Sequence, residues 1–524
     1  MQGTPLLNKI SEYLKQAYTG FHTPGHQQGK GCGEFLASLL KEAPLKMDLT
    51  EVPGLDNLKN PLGCLRESQS CAADLFGSAA TFYLVNGSTV GLQAALLALN
   101  SPGGKVIIPR HAHISILNGL ILSGGEPVIV PVVLEKTWGF PLGTSLGKLK
   151  ETLESAGGYT GELVGGSVEK FAGESVELAV TVQPTYQGVG LAATQIRQLM
   201  QEKGIPQIAD EAHGTHLFFQ EKIPLSLQKE QADLVIQSTH KTLAALTQAS
   251  MLHVNNQKFV AAVRDALNIL QTTSPSYLLL ASLDSVQFQM ASKGCLLVER
   301  VLELAAFLRR EILKIPGYDV FSVEKSASGW YQDPSKVLVS AAGLGFTGWE
   351  LAELLRKKYG LIVEMCDYYY VLFLITIGHR QEDLVKVVTA LREIGKEEGK
   401  VPLASLECPV SLYEKPVRLV LSPRKVYYNK KEEIALENTV GRICGAPLTV
   451  YPPGIPCLWP GQLIEKEHVE YLQWALHQHL NVQGVTGIQG VNEMQRTNPM
   501  QGISGSEKIM VVKEEKKRLR CKDK

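Results

Sequence analysis

The sequence has no excess of either charge. Its 524 residues carry 52 Lys+Arg against 52 Asp+Glu, a formal net charge of zero. Composition therefore gives no support for nucleic acid or an anionic membrane as partner. Paired cysteines are also missing. The nine present are scattered, odd in number and without a Cys-x-x-Cys spacing. That argues against a zinc site or a disulfide framework and for a reducing compartment. No metal set is expected. Long apolar runs are absent too. The most apolar window, residues 368–377, is too short to span a bilayer. Residues 1–18, with Lys9, Glu12 and Lys15 in a helical pattern, lack the apolar region of a signal peptide. The expectation is a soluble, cytoplasmic protein. With 44% hydrophobic and 20% charged residues it is ordinary globular material, long enough for two to four domains of about 150 residues.

What is present is order. Residues 4–18 read as an amphipathic helix with Leu6, Leu7, Ile10, Leu14 and Tyr18 on one face. Two irregular stretches follow, Phe21-His-Thr-Pro-Gly-His26 and Asp48-Leu-Thr-Glu51 through Asp56. Read alone, these are a Pro-Gly turn with polar histidines and a solvated acidic loop. From residue 66 strand and helix signals alternate. Strands are expected at 81–85, 106–109, 127–134, 178–183, 206–210, 234–237 and 250–254, with helices between them and a long Gly-rich surface loop at 156–173. That pattern predicts a mostly parallel sheet covered on both faces, with ligands beyond the carboxyl ends of its strands. Residues 256–314 read as helical with a polar break at 271–277. A smaller α/β domain is expected over 315–400, with strands at 337–340, 361–365 and 371–377, and a C-terminal domain over 401–480. The Gln-, Gly- and Asn-rich end, 481–524, reads as disordered.

The chemistry gathers where those strands end. Asn86-Gly-Ser88-Thr89 lies between a strand and a helix, an anion site by virtue of the exposed N–H groups and positive helix end. The plain alternative is an N-cap by Ser88 or Thr89. His113 follows the next strand, then Asp210-Glu-Ala212-His213, then Ser238-Thr-His240-Lys241. Each motif alone has a bland reading; Lys241 could open a surface loop. Together they supply a Schiff-base lysine, a carboxylate for a pyridine nitrogen and a phosphate cradle, in the order of the aspartate-aminotransferase fold. They suit pyridoxal 5′-phosphate (PLP).

Here the chain resembles the bacterial Orn/Lys/Arg decarboxylases, PLP enzymes of fold type I. The motifs carrying the likeness are Phe21–His26, Asp48–Glu51, Gly54-Leu-Asp56, Asn86–Thr89, Asp210–His213, Ser238–Lys241, Thr272-Thr-Ser-Pro275 and Tyr451-Pro-Pro-Gly-Ile-Pro456. The resemblance spans residues 1 to about 465. It implies an arm (1–65), a PLP-binding large domain (66–314), then the small and C-terminal domains. It implies α-decarboxylation of lysine, arginine or ornithine to the corresponding amine. Lys241 would take the cofactor aldehyde, Asp210 the ring nitrogen, and His113 the ring face. Ser88, Thr89, Ser238 and His240 would hold the phosphate, with Thr273 reaching in from a neighbouring subunit. Ala212 would pack under the ring with His213 beside it. The family forms homodimers or assemblies of dimers. A basic substrate needs an acidic partner for its distal cation. Glu51, Asp56, Glu364 and Asp367 are candidates, and each is equally readable as an ordinary surface carboxylate. The chain departs from the family pattern at His111, where Asn is common, at the 156–173 stretch, at Cys444-Gly-Ala446 and at Gln462. Alternatives on the same fold are an aminotransferase, or a non-catalytic relative that binds PLP.

Overall fold

The computed structural model describes residues 5–156, 163–164, 167–168, 176–326, 329–396, 401–403, 411–486 and 507–513. The loop expected at 156–173 falls mostly outside them; a short antiparallel pair, Leu163–Val164 with Ser167–Val168, is placed.

Seven strands form the central sheet. They are β1 (Ala80–Leu84), β2 (Lys105–Pro109), β3 (Glu126–Val130), β4 (Val176–Val182), β5 (Gln207–Asp210), β6 (Leu234–Gln237) and β7 (Ser250–Val254). Their order is β1-β7-β6-β5-β4-β2-β3, all parallel except β7. Ile108, Ile208 and Ile236 pack on one face with Val90, Leu96 and Ile116. Their strand neighbours turn the other way: Ile107 and Ala179 meet Leu199, and Ala209 and Val235 meet Ile196. Burial on both faces is why these strands read as unbroken apolar runs rather than alternating ones. Helix α1 (Gly87–Leu99) follows β1 and α2 (Ile114–Ser123) follows β2. The expected helical stretch resolves into Val260–Leu270 and the long α3 (Tyr277–Ile312), broken at the polar turn.

The small domain is an antiparallel sheet of β8 (Asp319–Val320), β9 (Lys336–Ser340), β10 (Met365–Cys366) and β11 (Val371–Leu374), in the order β8-β9-β11-β10. The strand expected at 361–365 splits. Leu361–Val363 leaves this sheet and pairs in parallel with Thr19–Phe21. The arm is thereby stitched to the small domain, helped by Thr376 Oγ1 donating to the Gly25 carbonyl at 2.7 Å.

The C-terminal section corrects one expectation. Residues 481–524 are not all disordered. Asn481–Gln483, Val485–Thr486 and Lys508–Val512 are strands, the last paired with Lys431–Ala435. Ile509 and Val511 are fully buried beside Ile464 and Leu472. A short apolar alternation inside a polar, charged stretch is masked by its surroundings when composition is read over a long window. Residues 487–506 and 514–524 lie outside the described residues. Buried contacts fasten the domain to the large domain. Trp459 is buried in the large-domain core. The fully buried Arg110, just past β2, donates to the carbonyls of Leu412, Pro456 and Cys457. Among the described residues, no helix is long and apolar enough to cross a membrane.

Candidate active site

Asp210, the last residue of β5, is in register with Ile236 of β6. Two residues beyond Ile236 the chain reaches Ser238 and the helical turn Thr239–Thr242, which carries Lys241. On the far side of β7, β1 ends at Leu84 and α1 begins at Gly87. The Ser88 and Ser238 hydroxyls meet at 2.7 Å. Asn86 makes no side-chain cap on α1, so the first-turn N–H groups and the positive helix end face the gap between these serines. Thr89 is exposed on the same turn. The loop bearing the exposed Thr273 borders this gap in its own chain, since Thr272 N–H donates to Asn86 Oδ1 at 3.3 Å. His240 donates from Nδ1 to the Ala249 carbonyl at 2.9 Å, and burial pulls its pKa down to about 4.

The Lys241 amine lies 2.9 Å from His213 Nε2. His213 Nδ1 lies 3.0 Å from the amine of Lys336, the first residue of β9. Lys336 in turn donates to the Tyr186 carbonyl at 2.6 Å and stands 5.1 Å from the centre of that tyrosine's ring. The Tyr186 hydroxyl donates to Glu364 Oε1 at 2.7 Å, and Thr23 N–H donates to Glu364 Oε2 at 2.7 Å. Gly188, with φ of +86°, leaves room for the Lys336 stem: a Cβ there would stand 3.0 Å from Lys336 Cδ.

Burial pushes the Asp210 carboxyl upward, against the pull of Lys241, His113 and the Ala212 N–H at 3.1 Å. Burial lowers Lys241, opposed by Asp210 and Glu364. His113 caps α2 through its Nδ1, which accepts from Ser115 N–H, and feels both Asp210 and Lys241. The Phe21–His26 loop is more than a turn. Gly25 N–H donates to the His240 carbonyl at 2.8 Å. A Cβ on Gly25 would stand 2.4 Å from the Leu243 oxygen and 3.0 Å from the Lys241 oxygen, so only glycine lets this loop press on the lysine turn.

Of the four candidate carboxylates, Glu364 shares the cleft with Lys241. Asp56 does not serve as a free anion. Its oxygens accept from the N–H groups of Leu62, Gly63 and Leu65, capping the helix Cys64–Phe76. Burial raises its pKa, but the backbone donors outweigh that and hold it below the ordinary value. Glu51 accepts from Asn57 Nδ2 and Leu58 N–H. Asp367 accepts from Tyr369 and Tyr370 N–H groups in a buried turn, where burial lifts it to about 7. Sequence reasoning passes over Lys336 and Tyr186. A lone lysine opening a strand carries no pattern, and Tyr186 stands in a Pro-Gly-bounded turn with nothing to mark it.

These residues fit a phosphorylated pyridine aldehyde. Two facing hydroxyls and a helix start offer donors to a dianion. A carboxylate and an amine sit at adjacent strand ends, and the buried hydroxyls of Thr239 and Thr242 have no hydrogen-bond partner among the described residues.

Comparison with known proteins agrees. The family described as "Orn/Lys/Arg decarboxylase, major domain" matches residues 4–383, and "Orn/Lys/Arg decarboxylase, C-terminal domain" matches residues 410–502. The chain is 33% identical over 487 residues to an arginine decarboxylase of Bacillus anthracis, covering 92% of this chain and 94% of the relative. It is 34% identical over 485 residues to an arginine decarboxylase of Bacillus subtilis, covering 92% and 95%. Among solved structures, lysine decarboxylase A from Pseudomonas aeruginosa superposes with a TM-score of 0.73 at 21% identity, over 97% of this chain and 80% of that one.

Proposed function

This chain belongs to the Orn/Lys/Arg decarboxylase family, and from that premise we propose that its substrate is arginine. It is a PLP-dependent decarboxylase of a basic amino acid. Bound in the cleft, PLP supplies the aldehyde that takes the substrate amine and the ring that accepts the electrons left by carbon dioxide.

The protein's part is to bind, orient and hold protons. Lys241 would hold the cofactor through its aldehyde. Asp210 pairs with the ring nitrogen and keeps it protonated. Ser88, Thr89, Ser238 and the start of α1 hold the phosphate. His240, oriented by Ala249, would join them where the charge of a bound phosphate restores the proton that burial withholds. His113 and Ala212 would pack against the ring. Glu364, held by Tyr186 and Thr23, is the partner for the distal guanidinium, where a carboxylate matches two parallel N–H donors. The observation that carries this reading is the placement of Glu364 in one hydrogen-bonded cleft with Lys241. The identity to arginine decarboxylases supports arginine over lysine, since the lysine decarboxylase shares the fold at much lower identity.

We also propose a cytoplasmic homodimer, or an assembly of dimers, with Thr273 contributing to a neighbour's phosphate site. Leu6, Phe35, Leu45 and Leu62 are each at least 70% exposed along the arm, a density of apolar surface that suits a partner chain. The test of the whole reading is carbon dioxide release from arginine, lysine and ornithine in parallel, with the amine identified. Release from arginine is expected, and release from lysine alone would overturn the substrate assignment.

A further inference from the structure

One imidazole stands between two lysine amines. His213 Nε2 is 2.9 Å from Lys241 and His213 Nδ1 is 3.0 Å from Lys336. A neutral imidazole has one donor nitrogen and one acceptor nitrogen. It therefore accepts from one ammonium, and toward the other amine it must donate. That second amine accepts through its lone pair and so is neutral. A charged imidazole would set a further cation between two amines, at 2.9 and 3.0 Å, in a buried place that itself lowers the His213 pKa.

Which lysine carries the charge follows from their surroundings. A buried ammonium needs acceptors for its protons. Lys336 is fully buried and has the Tyr186 carbonyl at 2.6 Å in addition to His213. It also has the face of the Tyr186 ring; two carboxylates favour the charge of each lysine, Asp333 and Glu364 for Lys336 and Asp210 and Glu364 for Lys241, so the hydrogen-bond acceptors decide. Lys241 has His213 as its one hydrogen-bond partner among the described residues. The charged and titratable groups facing Lys241 are Asp210, Glu364, His113, His213, His240 and Lys336.

We infer that Lys336 is a positioning residue: as the charged member of the pair it occupies His213 Nδ1, turning the Nε2–H onto Lys241 and holding that amine neutral. The inference rests on Lys241 being the lysine that takes the aldehyde. A neutral amine has the lone pair for that attack, whereas an ammonium does not. In the capture the amine nitrogen forms the new C–N bond and gives up two protons, and the aldehyde oxygen leaves as water. Burial lowers both lysines, and it is the carbonyl and the ring face beside Lys336 that keep the charge on that member of the pair.

The test uses full-length protein stripped of cofactor. PLP is added over a range of pH, the product is trapped with borohydride, and the modified peptide is weighed. The rate against pH gives the apparent pKa of Lys241. Lys336→Met should raise that pKa by about one unit, moving the pH at which capture becomes fast up by the same amount. Lys336→Arg, which keeps a charged donor, should restore it. In a His213→Phe background Lys336→Met should have no further effect. An unchanged pH profile in Lys336→Met overturns the inference. So does a shift that persists without His213, because that is the through-space field of a lost charge. If Lys336→Met does not fold, the comparison runs on the other two variants: His213→Phe must slow capture and Lys336→Arg must not. Absence of any capture at Lys241 in the unmodified protein would instead overturn the Lys241 assignment itself.

Discussion

The Ser88 hydroxyl lies 2.7 Å from that of Ser238, although 150 residues separate them in the chain. They meet because β1 and β6 flank the single antiparallel strand β7 and both end at the same edge of the sheet. In the proposed phosphate cradle each would give a hydrogen bond to a charged group, about 1.5–3 kcal/mol. Ser238→Ala should therefore weaken PLP binding roughly ten- to hundred-fold, read by titrating cofactor-free protein and following absorbance. Unchanged affinity would remove the serine pair from the cradle.

Glu364 and Asp56 separate by different measurements. Glu364→Gln removes the negative charge offered to the guanidinium. KM for arginine should rise roughly ten-fold or more, while the thermal midpoint moves little. Asp56→Ala removes a helix cap, so it should cost about 1 kcal/mol of stability and leave KM near its starting value. The reverse outcome would make Asp56 the substrate carboxylate.

Glu211, next to Asp210 and fully buried, is raised by that burial to about 8, even though Gln228 N–H donates to it at 3.0 Å. In the unfolded chain a glutamate loses its proton near its ordinary value of 4.5. Between these values the folded state keeps a proton that the unfolded state releases, so stability falls as pH rises through the window. Glu211→Gln does not titrate. Its thermal midpoint should gain on the parent as pH goes from 4.5 toward 8. A constant difference across that range would show that Glu211 is ionised in the folded protein.

The sheet and its chemistry are legible in the sequence for one reason. Strands buried on both faces announce themselves as apolar runs, and Asp210 and Lys241 each stand just past such a run. The seven strands follow from that, whereas the register that joins Asp210 to Ile236 is seen only in the folded sheet. Two kinds of feature are not legible. Lys336 and Tyr186 reach the cleft from the small domain and a turn, through contacts more than a hundred residues apart that leave no local pattern. Lys508–Val512 is too short to be noticed inside a polar stretch, yet it is the middle strand of a three-stranded sheet. The arm shows the same limit: Thr19–Phe21 is a strand only because Leu361–Val363 lies beside it.

The most direct test of the central claim is carbon dioxide release by PLP-loaded protein and its Lys241→Ala variant, each offered arginine, lysine and ornithine. The account predicts release from arginine with agmatine as the amine, and loss of that release in Lys241→Ala. Turnover of arginine at the parent rate without Lys241, or no release from any of the three by the loaded parent protein, would contradict it.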